Sequence, residues 1–279
     1  MSNNLRKKNK APASRPTQRD GKSYYMYGTH CVLHAMQNAH RKIHKIYCTH
    51  KIFAKYPLIS SFPFEILDSA KIAAFVPRDN AQDIVALVSP IIFNSLSALD
   101  YTSDPNIIFV LDQLQDNQNI GGIIRSAAAF GINGIILAQD GSPEENAVMA
   151  KAACGGMELV KIARVVNLAH ALHSLKQQGF WVIGAHRVNQ DSSESVMQNY
   201  SEQNITPVAT LKLSQVEQLK KTMSGKVVVV FGSEAKGIRR LVQDSCDYFL
   251  TIPMSSEIDS LNVSVAAGIV MHTFSFIRS

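Results

Sequence analysis

The chain has 279 residues, a formal net charge of +6, 46% hydrophobic and 18% charged residues. That apolar fraction excludes wholesale disorder, and the length fits about two domains. There is no apolar run of membrane-spanning length, and the charged N-terminus lacks the apolar segment of a secretory signal.

Residues 1–22 hold seven Lys/Arg and one acid, so the whole charge excess sits there. Such a tail, nearly free of apolar side chains, reads as disordered, with a polyanion such as nucleic acid as its natural partner. Tyr24–Tyr27 reads as a strand. Residues 30–39 read as a helix, with Cys31, Val32, Ala35, Met36 and Ala39 on one stripe. Ile43–Cys48 reads as a strand within a run, residues 40–51, that alternates bases with Ile and Tyr. That run suits a half-buried strand beside an edge facing nucleic acid, with Arg41, Lys42 and Lys45 offered to phosphates. Pro57 and Pro63 break the next stretch. A short helix is expected near 64–69, and strands at Ile72–Phe75 and Ile84–Val88. Residues 94–106 lose apolar density and end in Asp104-Pro105, which places a boundary between a unit at 23–100 and a second at 101–279.

The second unit alternates strand and helix. Strands are expected at Ile107–Leu111, Gly134–Leu137, Phe180–Gly184, Lys226–Phe231 and Phe249–Ile252. Helices are expected at 119–130, from Pro143-Glu144-Glu145 onward, and at Leu168–Gln178 and Leu261–Ile277. This pattern predicts an α/β fold with a mostly parallel sheet covered on both faces. Residues 189–208 are polar and loop-like, followed by an amphipathic stretch at Leu211, Leu213, Val216 and Leu219.

Three polar groups interrupt this apolar frame. The first follows the strand at 107–111 and contains Asp112, Asp116, Asn117, Asn119, Gly121, Gly122 and Arg125. Asn119 suits an N-cap, and Arg125 falls about a turn and a half into an otherwise apolar helix, where it needs a polar or anionic partner. Taken alone, this reads as a capped helix with a surface arginine. The second follows the strand at 226–231: Gly232, Ser233, Glu234, Ala235, Lys236 and Gly237, then Arg239 and Arg240. A glycine there puts main-chain groups at the carboxyl edge of the sheet, where α/β folds bind ligands. It is neither a GxGxxG nor a phosphate-loop spacing, which speaks against a nucleotide-binding oxidoreductase. The third runs from Ile252-Pro253-Met254 to Ser260, Leu261 and Asn262 before the last helix; capping explains one of Ser260 and Asn262 but not both.

The four cysteines, Cys31, Cys48, Cys154 and Cys246, form no CxxC pair, which fits a reducing, cytoplasmic setting. His30/His34 and His40/His44 have helical spacing, but no HExxH or paired CxxC accompanies them, so no metal is expected.

In NIGGIIRSAAAFG (119–131), VVVFGSEAKGIRRL (228–241) and TIPMSSEIDSLNVSVAAGI (251–269) the chain resembles the SpoU/TrmH family of RNA ribose 2′-O-methyltransferases, of the SPOUT class. YGTHCVLHAM (27–36) resembles the L30e-like substrate-binding domain of the subgroup that methylates a guanosine in large-subunit (23S) ribosomal RNA. The resemblance covers about residues 24–279. It implies a deep trefoil knot, a rarity in chain topology, and a homodimer whose sites are completed by the other subunit. It implies S-adenosylmethionine held bent by main-chain groups at Gly232, Ile252 and Leu261, with Met254 and the Ala185–Arg187 loop nearby. It implies Arg125 as the residue acting on the ribose hydroxyl, with Asn119, Glu234, Ser260 and Asn262 orienting it, the substrate and the cofactor. Ala235 and Ser256 stand where relatives often have Gly, and residues 189–208 look like an insertion between Gly184 and Gly232. Transfer RNA as substrate, or a non-catalytic RNA-binding or ribosome-assembly protein on the same fold, are the other readings; the intact motif residues argue against the latter. Residues 101–279 carry fourteen bases and sixteen acids, so affinity for RNA is expected to come from the tail and the N-terminal unit.

Overall fold

The computed structural model describes residues 23–76, 83–103, 105–185, 210–213, 225–233, 236–255, 257–258 and 260–275. The basic tail, the 189–208 stretch, Val216 and Leu219 lie outside these residues.

The first unit is a four-stranded sheet in the order β1-β4-β2-β3, built from β1 (Tyr24–Tyr27), β2 (Ile43–Cys48), β3 (Phe64–Ile66) and β4 (Ile84–Val88). Helix α1 (Thr29–Gln37) lays Cys31, Val32, Ala35 and Met36 on it, four of the five residues of the expected stripe; the helix ends before Ala39, which is exposed. Two expected elements fail here, and one element is additional. Residues 64–66 form an edge strand parallel to β2 instead of a helix. Ile72–Phe75 belong to α3 (Ser69–Ile72) and the 3₁₀ turn after it, because one buried residue, Ile72, anchors a helical turn there and no neighbouring strand pairs with it. Helix α2 (His50–Lys55), capped by Thr49, is not among the expected elements; it buries no residue fully and so leaves no apolar period to read.

The second unit is a seven-stranded parallel sheet in the order β7-β6-β5-β10-β8-β11-β9. Its strands are β5 (Asn106–Leu111), β6 (Gly134–Ala138), β7 (Lys161–Val165), β8 (Trp181–Ala185), β9 (Thr210–Lys212), β10 (Lys226–Phe231) and β11 (Tyr248–Thr251). Strand side chains alternate, and both faces are buried. Ile107, Phe109 and Leu111 of β5 point to the side of α4 (Asn117–Ala129), α5 (Ala147–Ala153) and α8 (Val263–Ser275). Ile108 and Val110 point to the side of α6 (Leu168–Gln177) and α7 (Arg240–Gln243). At Gly121 a Cβ would sit 2.5 Å from Ala152 Cβ and 2.6 Å from the Met149 carbonyl, so glycine sets the close approach of α4 to α5. Among the described residues no helix is long and apolar enough to cross a membrane.

One core runs from the first sheet through α1 into α5, α4 and the face of β5 and β10. A buried polar network crosses the same junction. Arg41, expected at an RNA-facing edge, is 5% exposed. Its Nη1 donates to Glu145 Oε1 at 2.6 Å and to the Ser89 carbonyl at 2.7 Å, and its Nε donates to Glu158 Oε1 at 2.9 Å. Nη2 lies 2.6 Å from that same Glu158 oxygen, near enough for charge pairing though off the hydrogen-bond line. Glu145 also accepts from Tyr24 Oη at 2.8 Å and from the Ile91 and Ile92 amides at 2.7 and 3.1 Å, so one carboxylate clamps β1, the linker and Arg41. Glu144 and Glu145 therefore precede α5, which Asn146 caps, instead of opening it. Burial, then the Glu145 charge, hold the Tyr24 phenol well above its ordinary value and keep it a donor. The Arg41 guanidinium, despite burial, is pushed up by Glu145 first among its partners and stays cationic.

Cys31, Cys48 and Cys246 are buried and Cys154 is half-exposed. Burial pushes the Cys31 thiol up to about 11 and Cys246 to about 12, which suppresses the reactive thiolate at neutral pH. Alkylation of the native protein at neutral pH is therefore expected to modify Cys154 first, with the other three reacting only on unfolding. Peptide mapping that finds Cys31 or Cys246 labelled as fast as Cys154 would contradict this.

Candidate active site

All seven strands of the large sheet are parallel, so their carboxyl ends share one edge. Adjacent strands β5, β10, β8 and β11 deliver Asp112, Gly232, Ala185 and Ile252 to it side by side. The three motif-bearing segments thus follow neighbouring strands, except that β8 lies between β10 and β11 and brings Ala185 among them.

Gly232 is half-buried directly after β10. A Cβ there would lie 2.0 Å from the Gly237 carbonyl carbon, so no other residue fits. The loop it opens closes on itself: Ser233 N donates to Gly237 O at 3.0 Å, and Gly237 N, at φ +67°, donates back to Ser233 O at 2.8 Å. Glu234 and Ala235 are outside the described residues. The loop is anchored by Asp112, whose side chain is fully buried. Its carboxylate accepts from the Arg239 amide at 2.9 Å and from Arg239 Nε at 2.7 Å, and Nη2 is also 2.7 Å away. The pair is separated by 127 residues, and no local pattern announces it.

Helix α4 starts two residues earlier than the sequence suggests. Asp116 is its N-cap, accepting from Gln118 N at 2.9 Å, and Asn119 sits in the first turn. Released from capping, Asn119 accepts at its Oδ1 from Asn262 Nδ2, 2.9 Å away. Asn262 is in turn the cap of α8, its Oδ1 accepting from Ser264 N at 2.9 Å and Ser264 Oγ at 2.6 Å. One asparagine pair thereby joins the first and third motif segments. Gly122 of α4 faces Ser264, and Ser126 faces Gly268, so small residues line the α4–α8 contact. Arg125 flanks this stripe. It is exposed, with no ion-pair partner among the described residues, so the polar partner expected for it is not supplied by the described part of the chain. Ser260 is exposed before α8 and is not needed as a cap; Ser256 lies outside the described residues.

Ile252 and Met254, on either side of Pro253 after the end of β11, are half-buried, as is Leu261 before α8. The main-chain groups of Gly232, Ile252 and Leu261 pair with no other main-chain group among the described residues. Half-buried N–H and C=O groups of this kind need partners, and at one sheet edge they form a set able to hold an elongated polar ligand. The Ala185 side of this edge continues into residues 186–187, which lie outside the described residues.

Relatives bear on this geometry. A 23S rRNA (guanosine-2′-O-)-methyltransferase of Pseudomonas putida is 33% identical over 194 residues, covering 68% of each chain. The protein of the same name from Escherichia coli K12 is 33% identical over 193 residues, covering 68% of this chain and 69% of its own. Among solved structures, the SpoU methyltransferase AviRb of Streptomyces viridochromogenes, in complex with AdoMet, superimposes with a TM-score of 0.72 at 16% identity, covering 92% of this chain and 90% of its own. An AdoMet-bound rRNA methyltransferase of Sinorhizobium meliloti gives 0.70 at 21% identity, covering 91% and 87%. At those identities the structures establish the fold: an α/β domain with a parallel sheet of the SpoU type. The model of the SpoU rRNA Methylase family matches residues 106–272, the span that starts with β5 and takes in all three motif segments and most of α8. That match covers more than half of the chain, and the chain belongs to the SpoU rRNA methylase family.

Proposed function

We propose that the chain transfers the methyl group of S-adenosylmethionine to a ribose 2′-oxygen, at a guanosine of large-subunit ribosomal RNA. The observation that carries this reading is the Asn119–Asn262 pair, which joins the first and third motif segments at the starts of α4 and α8, with Arg125 farther along α4. The names of the Pseudomonas and Escherichia relatives supply the guanosine and the 23S substrate.

S-adenosylmethionine, when bound, supplies a methyl group on a sulfonium leaving group, so the protein's work is binding and orientation. Gly232, Ile252 and Leu261 are assigned to it through their main-chain groups, with Met254 and Ala185 alongside. A guanidinium is cationic at neutral pH. Arg125 therefore holds the substrate phosphate and ribose and lowers the pKa of the 2′-hydroxyl. Asn119 and Asn262 fix the α4–α8 junction beside it. Ser260 and Glu234, the latter on resemblance alone, orient substrate and cofactor. Residues 23–100 act as an L30e-like RNA-binding unit and 101–279 as the methyltransferase unit. The reading also includes a trefoil knot, a homodimer, for which the exposed Ile258 and Val265 offer apolar surface, and a cytoplasmic location.

Asp112 holds the Gly232–Arg239 loop without lying among the groups assigned to ligand. Asp112→Asn keeps its shape but turns one acceptor into a donor facing the donors of Arg239. It is expected to weaken cofactor binding about ten-fold in calorimetry while kcat at saturating cofactor is largely retained. Unchanged affinity would mean that the loop does not depend on this anchor.

The function itself is tested by incubating the protein with labelled cofactor and size-separated total RNA from a strain lacking it. Label in large-subunit RNA is the expected result. Label confined to transfer RNA would replace the substrate, and RNA binding without label would favour an assembly role.

A further inference from the structure

The first turn of α4 is tied to two other helices. Asn119 accepts from Asn262, the cap of α8. Asn117, two residues earlier and so about 200° away around the helix, accepts at its Oδ1 from Asn146 Nδ2 at 2.6 Å. Asn146 is the cap of α5, its Oδ1 accepting from Val148 N at 3.0 Å and Met149 N at 3.1 Å. Capping uses only that oxygen, and Ser or Asp would serve equally well. The amide nitrogen is a further donor, which binds Asn117 and also the Glu144 carbonyl at 2.8 Å. Asn117 for its part does not cap α4, a task taken by Asp116, and asparagine is a weak helix former. The bond between the two residues explains both choices better than the helices they sit in.

The segment that Asn146 opens is held in place and reaches Arg125. Before the cap, Glu144 pairs with Arg164 at 2.8 Å and Glu145 with buried Arg41 at 2.6 Å. Beyond it, a Cβ at Gly121 would meet Ala152 and the Met149 carbonyl. A Cβ at Gly156 would lie 3.0 Å from the Ile124 carbonyl and 3.2 Å from Arg125 Cα. Residues 146–156 thus support α4 from its first turn to the main chain of Arg125. Close apolar contact limits the separation of the two but is non-directional, so it permits sliding. A hydrogen bond is directional and fixes the register.

We propose that Asn146 is a positioning residue for methyl transfer. Through Asn117 it sets the register of α4, and with it the place of Arg125 relative to Asn262. The proposal rests on the methyltransferase reading above and deepens it: Asn146 acts through α4 and is assigned no contact with cofactor or substrate.

The test measures single-turnover methyl transfer from labelled S-adenosylmethionine by the full chain, on large-subunit RNA from a strain lacking the protein. Asn146→Ser keeps a cap but has no amide to reach Asn117, and Asn117→Ala removes the acceptor from the other side. Each is expected to lower the rate at saturating cofactor and RNA about ten-fold, because small misplacements of a catalytic group are costly. The double variant should be no slower than either single one, since both break the same bond. Asn117→Asp keeps an acceptor and is expected to restore the wild-type rate. Cofactor affinity, the half-saturating RNA concentration and the unfolding temperature should stay near wild-type values, which a merely structural role would not spare. Wild-type rates in both single variants overturn the proposal. So does a double variant slowed about a hundred-fold, which would mean that the two residues act independently, or a loss of rate matched by a loss of cofactor affinity. If wild type labels large-subunit RNA and the variants do so at its rate, the positioning role alone is wrong. If wild type labels no RNA, the methyltransferase reading fails and the proposal falls with it.

Discussion

Replacing Arg125 with alanine is expected to reduce methyl transfer to RNA by about a hundred- to a thousand-fold, the loss typical of removing one preorganised charged donor. Cofactor affinity should be unchanged, because Arg125 lies on α4 and not among the strand-end segments assigned to the ligand. Thermal stability should also hold. The side chain is exposed without an ion-pair partner among the described residues, and alanine favours a helix at least as well as arginine. Arg125→Lys keeps a charge but loses the planar fork, so it should recover only part of the rate. Single-turnover assays at saturating cofactor read the effect on the chemical step. An alanine variant that binds cofactor normally and keeps full activity removes the assigned role.

The second large effect concerns stability. Arg41→Met should destabilise the protein by about 3–5 kcal/mol, because it leaves the carboxylates of Glu145 and Glu158, 1% and 2% exposed, without their shared cation. Adding Glu145→Gln and Glu158→Gln to Arg41→Met should restore part of the loss, because no unpaired buried charge is then left. Urea unfolding at neutral pH checks this. A deficit below about 1 kcal/mol at neutral pH would mean that the network does not bind the two units together.

These two residues also mark what local pattern can and cannot tell. The strands at 106–111 and 226–231 are buried on both faces and read as continuous apolar runs, so both are legible, as is the helical stripe of α1. The start of α4 is displaced because Asp116 and Asn119 are both good caps, and only tertiary context decides that Asn119 is needed by Asn262. Strand β3 is three residues long, and β7 has Lys161 and Arg164 interrupting its apolar residues without a regular period, so neither rises above its surroundings. Arg41 resembles a surface base because its neighbours His40 and Lys42 are exposed; its partners lie 104 and 117 residues away. The motif residues are recognisable as a set through resemblance, whereas Asp112–Arg239, which steadies one of those motifs, spans 127 residues and emerges only in the fold.

The most direct test of the central claim is chemical identification of the product. Large-subunit RNA from a strain lacking the protein, treated with the purified chain and S-adenosylmethionine, is digested to nucleosides and analysed by mass spectrometry. The predicted result is new 2′-O-methylguanosine, absent when Arg125→Ala is used. A methyl group on a base, or no modified nucleoside with the wild-type chain, would contradict the account.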